Sequence, residues 1–174
     1  NHKIIETHCH LDYLKERPLV ETLDKSTDVG IEKIITIAVS PENLATVMSL
    51  TRQDSRLWGT QGVHPHDAEK FTTETEATIR RNALDSRILA IGEIGLDYYY
   101  DNADRTIQRQ VFETQLTIAS ELDLPVVIHS RDADDDTIEI LSKFENTLKK
   151  KGVIHSFTSG PILAQYAIDQ GFCL

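Results

Sequence analysis

The chain has 174 residues, 40% of them hydrophobic and 26% charged, which is typical of a soluble domain with its own core. Its formal net charge of −10 excludes the basic surface that grips long nucleic acids, so a nucleic-acid substrate would have to be met locally, through metal ions and a few positive side chains. Two cysteines make no disulfide framework and no apolar run is long enough to span a bilayer. We therefore expect a cytoplasmic protein with no membrane contact and no obligate protein partner.

Short apolar runs alternate with helical segments along the chain. Several runs are continuous in Ile, Val and Leu, as expected for parallel strands that are covered on both faces. A seventh strand is predicted to begin near Phe172. The six complete predicted strands are Lys3–Thr7, Lys33–Val39, Leu57–Val63, Ile88–Glu93, Pro125–His129 and Val153–His155.

Helices are predicted between the strands. An N-cap followed by proline and an acid opens the second helix at Ser40. In the fourth, acids crowd the first turn and lysines the last, which matches the helix dipole. Gly30 and Gly152 fit C-terminal caps. The predicted helices are Leu19–Val29, Ser40 to about Arg52, Asp104–Leu122 and Asp132 to about Lys150.

Repeated β-α units favour an α/β fold of the (β/α)8 TIM barrel type. The alternative, an open doubly wound sheet, has no support from a G-x-G-x-x-G motif after the first strand or from a P-loop. A complete barrel usually takes about 250 residues. We therefore expect one domain, residues 1–174, that is a C-terminally incomplete barrel of about six to seven β/α units and lacks the last strands.

Histidines mark the ends of the predicted strands. All seven histidines except His2 lie there, and the fourth strand ends in Glu93. Alternate residues of a strand share a face, so two imidazoles in T-H-C-H can bind one metal. Because parallel strands of a barrel gather their C-terminal ends at one mouth, these side chains predict a divalent-metal site and a metallohydrolase. The six histidines are His8, His10, His64, His66, His129 and His155.

With these residues in view, the chain resembles the TatD family of metal-dependent deoxyribonucleases, within the amidohydrolase-type barrels. The resemblance covers almost all 174 residues. T-H-C-H-L-D resembles the opening motif of the family, and the other motifs follow in the family's order. They are Gly62–Ala68, Ala90–Tyr100, Gln108–Ala119, Pro125–Ala133 and His155–Gly160.

The resemblance implies two divalent ions, with Mg, Mn or Zn as candidates. His8, His10 and Glu93 would hold one ion, and Glu93, His129 and His155 the other, so that Glu93 bridges. The implied reaction is 3′-5′ exonuclease-like hydrolysis of phosphodiester bonds by metal-activated water, with DNA ends or single strands as substrate. The family's aspartate in a later T-D-x-P motif has no counterpart in these residues, and Ser156 replaces a cysteine that is more usual in the family.

Further side chains near the strand ends are candidates for other roles. Catalysis is assigned to Glu93 together with His66 and Arg131, whose guanidinium suits bidentate phosphate contact. Asp97 is a candidate acceptor behind a ligand histidine. The substrate-binding candidates are His64, His66, Arg131 and Tyr98. An alternative for Arg131 is a structural salt bridge to Asp97 or Asp132.

Two other functions stay open from the sequence. The same metals hydrolyse carbonyl and phosphoryl centres, so a lactonase, amidase, deaminase or tRNA-linked ester hydrolase would use the same barrel. A non-catalytic, truncated metal-binding form is the other alternative.

Overall fold

Six strands form one parallel sheet in the computed structural model, which describes residues 3–174 and leaves His2 outside the described residues. The strands pair in chain order. An isolated parallel bridge between Val153 and Cys173 begins the seventh strand that was predicted near Phe172. The strands are β1 (Ile4–Cys9), β2 (Ile31–Thr36), β3 (Leu57–Gln61), β4 (Ile88–Asp97), β5 (Val126–Arg131) and β6 (Gly152–Ile154).

A helix lies in every connection between consecutive strands, so the sheet and its helices make a curled half-barrel of the predicted type. Short 3₁₀ turns at Leu11–Tyr13 and Pro65–Lys70 follow β1 and β3. None of the helices within residues 3–174 has the length and apolar character needed to cross a membrane. The helices are α1 (Leu19–Asp28), α2 (Leu44–Gln53), α3 (Thr73–Asn82), α4 (Arg105–Leu122), α5 (Asp134–Ser142) and α6 (Pro161–Gln170).

The main core lies between the sheet and the helices that cover it. Phe112 and Leu116 of α4 pack in one cluster with Ile94 of β4 and Ile128 of β5, and all four are fully buried. Burial of each such side chain stabilises the fold by about 1.5–3 kcal/mol. The core therefore fixes α4 against the two strands that carry Glu93 and His129.

Two predicted helices were wrong in their bounds. The second begins at Leu44 instead of Ser40, because the side chain of Asn43 accepts the N–H groups of Val39 and Ser40 and forms a turn there. The fourth ends at Ser142, although Leu148 is still buried, so the apolar spacing continues beyond the helix.

Three other features differ from the prediction. The prediction that Gly152 caps a helix is wrong, because α5 ends at Ser142 and Gly152, with φ 105°, opens β6. Helices α3 and α6 were not predicted from the sequence. The fourth strand runs to Asp97 instead of ending at Glu93.

The register between β4 and β5 shifts between Gly92 and Ile94, and Glu93 N–H bonds the carbonyl of Ala38 at 2.8 Å. Such a bulge changes the direction of a side chain, and here it lies at the carboxylate that the metal site needs.

Candidate metal centre

The predicted metal ligands converge at the C-terminal ends of the strands. His8 lies near the end of β1, Glu93 in the bulge of β4 and His129 in β5. Oε2 of Glu93 lies 3.3 Å from Nε2 of His8, and Oε1 lies 3.3 Å from Nδ1 of His129. The two oxygens of one buried carboxylate therefore face imidazoles from two different strands.

Two groups of possible ligand atoms share Glu93. The first joins His8 and His10 to Glu93, the second joins His64 and His129 to it, and the atoms of each group lie within 4.8 Å of one another. Nδ1 of His10 is buried and has no hydrogen-bond partner. Imidazole nitrogens and carboxylate oxygens are the ligands that divalent transition ions prefer, so the residues present fit such a cation.

Asp97 orients two histidine rings. Its Oδ2 lies 2.9 Å from Nε2 of His66 and 2.8 Å from Nε2 of His129. Burial raises the pKa of Asp97, but bonds from Tyr100 N–H and the two rings outweigh it and lower the pKa overall. An ionised carboxylate can only accept, so His129 carries a proton on Nε2, and Nδ1, which faces Glu93, is the nitrogen that a metal would take in place of a proton. The predicted role of Asp97 behind a metal-binding histidine stays a prediction, and these two hydrogen bonds support it.

The ring of His64 has a defined tautomer. Its Nδ1 accepts the backbone N–H of His66 at 3.1 Å. Burial lowers the pKa of His64 to about 3, so the ring is neutral and carries one proton. That proton must lie on Nε2, the atom 3.8 Å from Oε1 of Glu93. With its proton on Nε2, the ring turns an N–H toward Glu93 at a distance too long for a hydrogen bond, and that nitrogen could bind a cation only after losing its proton.

Glu93 is held in its ionised form. Burial would raise its pKa, but hydrogen bonds from His129 and His8 outweigh burial and hold the pKa well below its usual range. For His129, burial would lower the pKa, and the bonds to Glu93 and Asp97 raise it instead. The centre therefore presents a permanent negative charge among imidazoles, which is the electrostatic setting that a cation requires.

His155 lies beside this cluster. Its ring stacks on that of His8 with centroids 3.4 Å apart and planes 4° apart. It belongs to neither group of three ligand atoms among the described residues. Burial lowers the pKa of His155, which favours the neutral form that binds metals. Its assignment as a ligand stays a prediction.

Arg131 lies at the rim of the centre, on the side of His66. Its guanidinium lies over the rings of Tyr99 at 4.1 Å and Tyr100 at 5.0 Å, and Tyr100 meets the ring of His66 edge-on at 5.4 Å. Within residues 3–174 it makes no ion pair with Asp97 or Asp132, which was the structural alternative for it. The charge of Arg131 is therefore available at the mouth of the site.

Tyr98 is not brought to the ligand cluster. Its hydroxyl donates to Asp136 of α5, and the guanidinium of Arg105 lies over its ring at 4.4 Å. It lines a cavity of about 540 Å³ with the loops before α5 and α6. Exposed aromatic rings on the Arg131 side of the centre are instead those of Tyr99 and Tyr100.

Two buried glutamines of α4 bond the backbone at the ends of β3 and β4, and sequence reasoning placed them only within a motif. The amide of Gln115 bonds both N–H and C=O of Val63, at 2.8 and 3.0 Å. The amide of Gln108 bonds N–H and C=O of Asp97, at 2.8 and 3.1 Å. Uncharged amides seven residues apart on an otherwise apolar helix face are the signal that would have revealed them.

Known proteins are similar to this chain in sequence. The family described as TatD related DNase matches residues 5–174. The chain belongs to that family. An uncharacterized metal-dependent hydrolase, YabD from Bacillus subtilis, is 31% identical over 172 residues, which are 98% of this chain and 67% of that protein. The 3′-5′ ssDNA/RNA exonuclease TatD of Erwinia tasmaniensis is 36% identical over 147 residues, 84% of this chain and 56% of that protein.

A solved structure agrees with the fold. The crystal structure of YjjV, a TatD homologue from Escherichia coli, superposes with a TM-score of 0.88 at 30% identity. It is matched over 97% of this chain and 65% of its own. The TatD-family chain described here thus spans between 56% and 67% of the length of these relatives, and its half-barrel corresponds to part of the YjjV fold.

Proposed function

We propose that this chain is a metal-dependent hydrolase of phosphodiester bonds in DNA, acting on ends or single strands. The observation that carries the proposal is the carboxylate of Glu93, whose two oxygens each lie 3.3 Å from an imidazole nitrogen of a different strand. One cation would be held by His8, His10 and Glu93. The other would be held by Glu93, His129 and His155. The imidazole-rich set suits Zn²⁺, and Mg²⁺ and Mn²⁺ are the ions that the family resemblance adds.

Each proposed residue has a distinct task. Bound cations would polarise a phosphoryl oxygen and supply hydroxide near neutral pH. Ionised Glu93 offsets their charge. His66, oriented by the bond from its Nε2 to Asp97, would give a proton from Nδ1 to the leaving oxygen. Arg131 would contact a phosphate oxygen, with its guanidinium plane supported by Tyr99 and Tyr100.

The remaining candidates are secondary to these. His64 would act through its Nε2 proton, toward Glu93 or a substrate oxygen. Tyr98 is a predicted substrate-binding residue, but its hydroxyl is bonded to Asp136. Tyr99 and Tyr100 would take the substrate-binding role instead. The printed name of the Erwinia relative, a single-strand DNA and RNA exonuclease, supports nucleic acid as the substrate class.

The test compares two variants on end-labelled single-stranded DNA with Mg²⁺ or Mn²⁺. Glu93→Gln keeps the size of the side chain and removes its charge, so we expect metal-dependent hydrolysis to fall by at least about 100-fold. Arg131→Ala should mainly raise KM and change kcat little, because it removes a substrate contact. Glu74→Gln, an exposed glutamate of α3, is the matched control and should behave as the wild type.

A p-nitrophenyl ester serves as the second substrate. Hydrolysis of the ester by the wild type without cleavage of DNA would refute the nuclease assignment and favour another metallohydrolase. Near-normal DNA cleavage by Glu93→Gln would refute the bridging role of Glu93. Absence of both activities would refute catalysis by these 174 residues.

A further inference from the structure

A small cavity lies beside the metal centre, outside the groups that the proposed hydrolysis uses. It opens between the 3₁₀ turn that follows β1 and the first turn of α1, and its volume is about 240 Å³. That is below the about 300 Å³ at which pockets for drug-sized ligands begin, so it suits a single planar ring system. The lining residues are Tyr13, Leu14, Glu16, Arg17 and Thr22.

Tyr13 joins this cavity to the metal centre. Its ring stacks on that of His10 with centroids 5.1 Å apart and planes 17° apart. The residue is nevertheless 63% exposed. One face of the ring thus lies against a candidate metal ligand, and the rest is accessible from the cavity. The ring of His10 also contacts that of His8, at 5.3 Å between centroids. The ring of Tyr13 therefore separates the cavity from the candidate ligands His10 and His8.

The walls of the cavity match the chemistry of a nucleobase. They are mainly apolar, with Leu14 exposed beside Tyr13. An aromatic face binds a base by stacking, which is tolerant of sequence because every base has a π-face. Arg17 adds a guanidinium, which can stack on a base or bond its polar edge.

We propose that this cavity is a nucleobase subsite, in which Tyr13 stacks on a base next to the phosphodiester held at the metal centre. The proposal rests on the proposed function and names a binding determinant for it. It predicts a preference for substrates that carry a base near the cleaved bond, with little discrimination among bases. An enclosed slot for one specific base would need buried polar groups, and none line the cavity among the described residues.

Binding of two labelled single strands tests the subsite. They are identical except that in one the last two nucleotides at the 3′ end carry no base. Both have phosphorothioate linkages there, which slow hydrolysis during the measurement. We expect Tyr13→Ala to weaken binding of the complete strand about tenfold, because stacking contributes about 1–3 kcal/mol per base and tenfold is 1.4 kcal/mol. Binding of the abasic strand should change less than about twofold.

Two variants and one spectroscopic signal separate stacking from a structural role. Tyr13→Phe keeps the ring and should bind as the wild type does. Val29→Ala, at the far end of α1 and 71% exposed, is the control for loss of an exposed apolar side chain. A fluorescent purine analogue at the 3′ end should be quenched by the wild type and not by Tyr13→Ala.

The outcomes also separate this proposal from the proposed function. If the wild type binds the two strands equally well, or Tyr13→Ala weakens both to the same extent, DNA binding stands and the subsite is refuted. If the wild type binds neither strand, both the DNA assignment and the subsite fall. A change in oligomeric state in Tyr13→Ala, with unchanged DNA binding, would assign the cavity to contact between copies of the chain, and a change in stability alone would assign Tyr13 to packing on His10; either would overturn the subsite.

Discussion

At the scale of the residue, Asp97 is not a candidate metal ligand, but its carboxylate positions two histidines and a loop of the site. It is fully buried and one of its oxygens holds both His66 and His129. Its other oxygen accepts the backbone N–H groups of Tyr99 and Tyr100, at 3.1 and 2.8 Å. One carboxylate thus sets a ligand tautomer and also shapes the loop beneath Arg131.

Asp97→Asn should weaken metal binding by about 10- to 100-fold, the usual effect of losing an orienting partner of a ligand histidine. The amide removes the negative charge that favours a proton on Nε2 of His129, so Nδ1 is no longer reserved for the metal. Calorimetric titration with Zn²⁺ or Mn²⁺ measures the effect. Asp101→Asn, in the exposed loop that follows, should bind as the wild type. Equal affinities for the two variants would contradict the role of Asp97.

The sequence predicted the convergence of His8, Glu93 and His129 because ligand residue types recur where strands end. It could not predict the tautomer of His64. That depends on the backbone N–H of His66, whose direction is set by the turn after β3. The stacking of His155 on His8 likewise depends on how β1 and β6 approach across the half-barrel. The first depends on the backbone conformation of a turn and the second on a contact between distant strands, so residue types alone reveal neither.

At the scale of the element, α4 connects the core to the metal centre. Its apolar face buries Phe112 and Leu116 against the sheet, and Gln108 and Gln115 on the same helix hold the ends of β4 and β3. Each amide bonds backbone groups that would otherwise be buried without partners, and a buried polar group without a hydrogen bond destabilises the fold. The helix therefore fixes the two loops that carry His64, His66 and Tyr99.

Gln115→Leu should lower the free energy of unfolding by about 2–4 kcal/mol, because it leaves N–H and C=O of Val63 buried and unpaired. Chemical denaturation monitored by circular dichroism measures the change. Gln110→Leu makes the same substitution at an exposed position of the same helix and should change stability by less than about 0.5 kcal/mol. A small effect at Gln115 would mean that water replaces the amide there.

Strands were easier to predict than helices for a physical reason. The continuous apolar runs of β4 and β5 reflect burial on both faces, and the structure places nearly all of β4 in the core. Helix α3 buries only Thr75 and Ile79, so it has no apolar stripe to reveal it. Its start is a capping box between Thr72 and Thr75, in which threonine takes the place of the usual glutamate or glutamine. Tertiary packing, more than local pattern, decides such elements.

At the scale of the whole molecule, the metal centre joins parts of the sheet that are far apart in sequence. Candidate ligands come from β1, β4 and β5, so a cation in the first group would join β1 to β4, and one in the second would join β4 to β5. Within residues 3–174, β1 pairs with β2 alone, and the outer residues Ile4 and Ile5 are about half exposed. The contacts through Glu93 tie this edge strand to the middle of the sheet.

A divalent cation should therefore stabilise the whole fold. A ligand that binds the folded state at 100 times its Kd adds about 2.7 kcal/mol, which for a domain of this size is a rise in Tm of about 5–10 °C. Thermal unfolding with Zn²⁺ or Mn²⁺, compared with EDTA, measures it. The double variant His8→Ala, Glu93→Gln removes one ligand from β1 and the ligand shared by both groups, so it should lose most of the shift. If the double variant kept the full shift, the stabilising ion would bind elsewhere, with the acidic first turn of α5 as the next place to examine, and the edge strand would not be held by the metal.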